Sequence, residues 1–206
     1  MRPRSSDLAS LAARYSLVAI FLAISSISQA QILYQDQQVE VHDLPRLTAK
    51  SDDPSDVLVA SMDTILHNKD LCCGKDSALV DSLATADPAS LKDISAKLDG
   101  RHLLGDGRPI QINAEYLTPE KIYAGRLLHR ILDQHAALLM WNSHLYVVYG
   151  VVFMWQSDSR GGVYALIHKL LLWDTRYSDP RRTLVFSREE DDTGKIEGIL
   201  FAGVAH

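Results

Sequence analysis

The strongest constraint on this chain is a change of hydrophobic period near residue 136. Before it, apolar residues recur every three or four positions, as one buried face of a helix requires. After it come blocks 137–141, 145–155, 163–173, 183–186 and 196–204, rich in Val, Leu, Tyr and Phe, which read as strands. Asn142-Ser143, the Gly161-Gly162 tip, residues 177–182 and residues 191–194 supply the turns between them. Helices followed by an antiparallel meander make an α+β domain.

The first half divides further. Residues 31–43 alternate weakly through Ile32, Tyr34, Val39 and Val41, which suits an extended arm or edge strand, and residues 45–54 read as a linker. From Ser55 a helix is expected through Val57, Leu58, Met62, Ile65 and Leu66, stopping near Asn68. A second begins at the Cys-Cys-Gly turn, carries Ala78, Leu79, Leu83 and Ala84, and ends before Asp87. A third takes Asp87 as N-cap and Pro88 as first helical residue, burying Leu91, Ile94 and Leu98 before Gly100. Residues 101–109 are expected to form an ordinary surface loop into a short strand at 110–113. Thr118-Pro119 then opens a fourth helix with Ile122, Leu127, Leu128, Ile131 and Leu132 on its buried side.

Residues 1–30 have the parts of a secretory signal peptide: Arg2, Arg4 and Arg14, an apolar run over 15–27, and Ser28-Gln29-Ala30 as the cleavage site. The run falls short of the about 20 residues a spanning helix needs, so no stable membrane span is expected after cleavage near Ala30. The expected location is periplasmic or secreted. Removing three arginines and Asp7 takes the formal charge from −5 to −7, which argues against a nucleic-acid partner. The organisation read from these signals is a signal peptide at 1–30, an arm and linker at 31–54 and one domain at 55–206.

Both cysteines, Cys72 and Cys73, are neighbours, and a bridge between adjacent residues is strained. An exported protein that keeps only these two thiols requires either chemistry or a buried apolar role for them. Three residues fall in an order that favours chemistry: Cys73 at a helix start, His144 at a strand start and Asp174 at the end of the next strand. Unpaired N–H groups at a helix N-terminus stabilise a thiolate, and a neighbouring imidazolium does so further. Cys73 would be the nucleophile, His144 the proton carrier, and Asp174 the group that orients the ring. Alternatively Asp174 pairs with Arg176, Arg181 or Arg182, and His144 is a satisfied histidine at a sheet edge. His144 and His168 lack a third ligand at a recognised spacing, so neither a metal nor a cofactor is expected.

Leu71-Cys72-Cys73-Gly74, the stretch from Ser143 to Gly150 and Leu171-Leu172-Trp173-Asp174 resemble the corresponding patches of papain-like cysteine peptidases, nearest to the bacteriocin-processing, double-glycine branch. The resemblance implies a papain-like fold, with N-terminal helices, the nucleophile on a central helix, and a C-terminal antiparallel sheet. It also implies an exported thiol hydrolase, a peptidase or amidase acting on a peptide or protein substrate. Where such enzymes carry an oxyanion-binding Gln six residues before the nucleophile, this chain has His67 beside Asn68, and either side chain can donate a hydrogen bond. The Cys, His, Asp order is also similar to that of transglutaminase-like proteins. Hydrolysis, acyl transfer and a catalytically silent binding or scaffold module of the cell envelope remain distinct outcomes at this level, and oligomeric state is left open.

Overall fold

A computed structural model of the chain describes residues 35–45, 47–67, 83, 85–105, 108–118, 126–178, 181–185 and 196–204. Among these are three helices, α1 (Pro54–His67), α2 (Leu91–Leu98) and α3 (Arg126–Leu132). The strands are β1 (Gln37–Glu40), β2 (His102–Gly105), β3 (Arg108–Leu117), β4 (Ala137–Trp141), β5 (His144–Ser157), β6 (Val163–Trp173), β7 (Arg181–Val185) and β8 (Ile196–Val204). Seven strands lie in the order β2-β3-β8-β4-β5-β6-β7. The eighth, β1, pairs antiparallel with β5 over Gly150–Phe153, beyond the His144–Val148 segment that β4 uses. The β2–β3, β3–β8, β4–β8 and β6–β7 pairings are antiparallel too, so the chain is a mixed α/β protein built on an antiparallel sheet.

The described residues fall in two compact units. The larger takes the described residues of 37–153 and 166–204; the smaller takes 35–36 and 154–165. Within the smaller unit a tight turn closes on Asp158, whose carboxylate accepts from the N–H of Arg160 at 2.8 Å and of Gly162 at 2.7 Å. Gly161 there has φ of 80°, a conformation a side chain would disfavour. Tyr164 Oη donates to Gln156 Oε1 across the same hairpin at 2.9 Å.

The core of the larger unit follows from the helical spacing. Val57, Leu58, Met62, Ile65 and Leu66 of α1 are buried, and the helix packs on β8 and β4. Leu91, Ile94 and Leu98 of α2 are buried against β3 and β8. Strands β4, β5 and β8 are covered on both faces, which explains their nearly continuous apolar runs: Leu138, Leu139, Val147, Val148, Ile199 and Leu200 are all fully buried. Gly150 of β5 pairs with Glu40 of β1. A Cβ there would stand 2.8 Å from the Val39 carbonyl oxygen and 2.8 Å from a Leu171 methyl. Because one of those neighbours is backbone, Gly150→Ala is expected to displace β1 and cost about 1–3 kcal/mol in a urea unfolding titration.

Several expectations need correction. The N-cap of α2 is Ser90, whose hydroxyl accepts from the Asp93 N–H at 3.2 Å, so Asp87 and Pro88 lie in a turn before the helix. Asp87 caps that turn instead, accepting from the Ala89 N–H at 3.0 Å, and a Pro placed two residues ahead of a Ser cap reads deceptively like a helix start. Residues 102–105, expected as loop, are β2, and the expected short strand is the ten-residue β3. Gly105 pairs with Arg108 across the hairpin tip, so the Gly-Asp-Gly run marks a strand connection. Arg181 and Arg182, expected in a turn, begin β7. Leu132, expected on the buried side of its helix, is 46% exposed because α3 ends there and the chain turns through Gln134 at φ 66°.

Of the second expected helix, Leu83 is described and buried, while Cys72, Cys73, Gly74, Ala78, Leu79 and Ala84 lie outside the described residues. The start of the fourth expected helix, including Pro119 and Ile122, lies outside them as well. So do residues 1–30. No helix among the described residues is long and apolar enough to cross a membrane.

Candidate functional site

His144 owes its position to a two-residue hairpin loop. Asn142 and Ser143 take φ of 51° and 59°, the left-handed pair that closes a type I′ turn and matches the twist of the strands it joins. Ser143 is rare in that conformation, and Glu197 on β8 compensates by accepting from its N–H at 2.8 Å and from its hydroxyl at 3.3 Å. The turn sets His144 directly opposite Trp141, with its side chain exposed. Two residues on, and therefore on the same face, Tyr146 is almost fully buried, its ring 5.8 Å from that of Trp141. Arg182 of β7 reaches this face too, with Nη1 3.4 Å from Tyr146 Oη and its guanidinium 6.0 Å from the ring centre. The Trp141 indole N–H is buried and has no hydrogen-bond partner among the described residues.

Asp174 follows the last residue of β6 and is completely buried. It opens a turn in which its backbone carbonyl accepts from the Tyr177 N–H at 3.2 Å and its carboxylate accepts from the Arg176 N–H at 3.2 Å. The Arg176 guanidinium returns onto the same carboxylate as a two-pronged fork: Nε donates to Oδ1 at 2.8 Å and Nη2 to Oδ2 at 2.5 Å. Hydrogen bonding to Asp174 raises the Arg176 pKa above its ordinary value against the opposing effect of desolvation, and the charge of Asp174 adds to it. The arginine therefore stays charged throughout the working range of any protein.

Between the two pair members, Thr175 is fully buried, with its hydroxyl 3.0 Å from that of Ser61 on α1 and its carbonyl accepting from the Ala49 N–H at 2.8 Å. The turn is thus pinned to α1 and to the segment before it, which holds the fork in place.

The neighbouring ends of β5 and β6 bring His144 and Asp174 together through Arg176. The remaining guanidinium nitrogen, Nη1, lies 3.4 Å from His144 Nδ1, long for a hydrogen bond. Both oxygens of Asp174 are engaged by Arg176, and among the described residues Asp174 makes no direct bond to the imidazole. Pairing with Arg176 was one of the alternatives legible in sequence; its reach on to His144 was not. The available signal was local, an Asp two residues before an Arg at a strand end, where an Asx turn can fold the second side chain back on the first. His67 is the last residue of α1, while Asn68 and Cys73 lie outside the described residues.

No family model and no curated protein matches the chain.

Arg176 is paired with the buried Asp174 carboxylate and reaches His144, while Arg182 lies against Tyr146 two residues along β5. Among the described residues no group of three or more His, Cys, Asp or Glu side chains is placed to hold a metal ion.

Proposed function

We propose that the protein is an exported thiol hydrolase, a cysteine peptidase or amidase of papain-like architecture, in which Cys73, His144 and Asp174 form the working set. The observation that carries this reading is the junction of His144 and Asp174 on adjacent strand ends, bridged by Arg176 beside a sheet that packs against α1. In the reaction, the Cys73 thiolate attacks the carbonyl carbon of a peptide or amide. The C–N bond breaks as His144 gives a proton to the leaving amine, and water then hydrolyses the thioester, releasing a carboxylate and restoring the thiol. His67 or Asn68 would donate a hydrogen bond to the tetrahedral oxyanion. The apolar run over 15–27, followed by Ser28-Gln29-Ala30, supports export.

Alkylation with iodoacetamide tests the nucleophile. Cys73 is expected to react at pH 6, where an ordinary thiol of pKa about 8.5 is nearly all protonated. If its rate climbs only as that ordinary titration would dictate, the thiolate is not stabilised and the hydrolase reading fails.

One observation favours a second reading. With both Asp174 oxygens on Arg176, the fold could retain the architecture as a binding or scaffold module without the chemistry. An acyl-transferring, transglutaminase-like enzyme uses the same acyl intermediate with an amine in place of water, and product analysis with an added amine separates the two.

A further inference from the structure

Arginine presents only donors, so the contact between Arg176 Nη1 and His144 Nδ1 has a single consistent polarity. Nδ1 must be the acceptor, and a neutral ring then carries its proton on Nε2. The carboxylate that would otherwise take an Nδ1 proton is already bound at both oxygens by the same guanidinium. We infer that Arg176 is a positioning residue of this site: held by Asp174, it dictates which nitrogen of His144 bears the proton.

The chemical consequence follows from the in-plane lone pairs of the ring. With Nδ1 facing Arg176 and Nε2 protonated, the neutral ring can donate a hydrogen bond from Nε2 but has no lone pair there with which to take a proton. If the guanidinium withdraws from Nδ1, an Nδ1–H can donate to Asp174 and the Nε2 lone pair is freed to act as base. Solvent water completes that exchange, delivering a proton to Nδ1 and removing one from Nε2, so no net charge is created. Arg176 therefore holds the histidine in its donor form, and its displacement, as by a substrate carboxylate or carbonyl competing for Nη1, converts the ring to its base form. This catalytic consequence rests on the thiol-hydrolase reading. The tautomer assignment does not, so the two can fail separately.

The groups facing the ring bear on any titration. Among the described residues they are Arg176 with Asp174 behind it, Tyr146 on the same face of β5 with Arg182 above it, Tyr177 beside Arg176, Trp141 across the hairpin, and Glu197 of β8 at Ser143. Histidine side-chain nitrogen spectra of the full chain read the tautomer directly at a pH well above the usual imidazole range of about 6.5. The wild type is expected to show His144 as Nε2–H with an acceptor-type Nδ1. In Arg176→Met the dominant form should change to Nδ1–H, because Asp174 becomes the available acceptor. In the Asp174→Asn, Arg176→Met double variant the Nδ1–H form should recede. A ring that stays Nε2–H in Arg176→Met overturns the inference.

A second measurement needs no substitution and so is independent of folding. Solvent exchange of the Arg176 Nη protons, read against that of Arg182 to remove the intrinsic pH dependence, should be several-fold slower when His144 is neutral than when it is protonated and Nδ1 can no longer accept. An unchanged ratio overturns the assignment. Activity assays enter only afterwards: a correct tautomer in a protein whose Cys73 is inert would retain the positioning role and remove the hydrolase.

Discussion

Replacing Cys73 by alanine is expected to lower the rate of amide hydrolysis by about three orders of magnitude or more, the usual cost of deleting a nucleophile that works with its base as a unit. The loss should appear in kcat, since in the proposed reaction the thiol makes and breaks a bond to the substrate and need not contribute to binding it. Cys72→Ala is the matched comparison. Two adjacent residues cannot both face one site, so this substitution should leave turnover intact. It should also make activity less sensitive to oxidant: outside the cytoplasm a thiolate with a thiol directly before it can be captured as a strained vicinal bridge or a mixed disulfide. Both variants must be assayed with reductant, because an oxidised wild type would be silent for reasons unrelated to the triad. Equal activity in reduced wild type and Cys73→Ala would remove the hydrolase reading.

Breaking the Asp174–Arg176 pair is expected to be the largest single loss of stability at this end of the sheet. Arg176→Met leaves a carboxylate with no exposed surface and neither of its strong donors. Removing one partner of a buried pair costs about 3–5 kcal/mol, and the lower figure applies because the Arg176 side chain keeps 18% of its surface in water. Unfolding by urea should therefore show a shift of about 3 kcal/mol. The Asp174→Asn, Arg176→Met double variant removes both charges and should recover most of it. A double variant as unstable as Arg176→Met would mean that the loss comes from packing of the arginine stem and not from the stranded charge.

The two expectations meet at His144. If Asp174 is mainly a structural counter-ion for Arg176, the stability change appears without a change of tautomer. If it also acts through Arg176 on the ring, both change together. The bidentate geometry of the fork, and the anchoring of Thr175 to Ser61 and of its carbonyl to Ala49, make the turn a rigid support for either role.

How legible the fold was in the residues varied with the kind of signal. The β4, β6 and β8 strands end where the apolar blocks end, and Val57 to Leu66 and Leu91 to Leu98 are buried as their three-and-four spacing requires. Periodicity reports burial, and burial is what these elements share. It says little where pairing, not burial, makes the element. Residues 102–105 carry weak alternation and are a strand because β3 hydrogen-bonds to them, and β3 in turn is long because β8 lies on its other side. Capping was ambiguous for a related reason: Asp87 and Ser90 are both competent caps, and the choice fell to the one whose helix could bury Leu91 and Ile94.

By itself, then, the sequence determined the strongly periodic segments, α1, the buried stretch of α2 and strands β4, β6 and β8, that helices accompany an antiparallel sheet, and that His144 and Asp174 stand at strand ends. These properties are local, set by side-chain spacing and turn chemistry. Tertiary structure alone decided what those two residues touch. A carboxylate at a strand end can choose among several cations within reach of its chain neighbours, and burial forces the choice, because a charge excluded from water must take the partner that satisfies both its oxygens. Arg176 does so from two residues away, and its third nitrogen then falls against His144. That contact exists only because β5 and β6 are neighbours in the sheet.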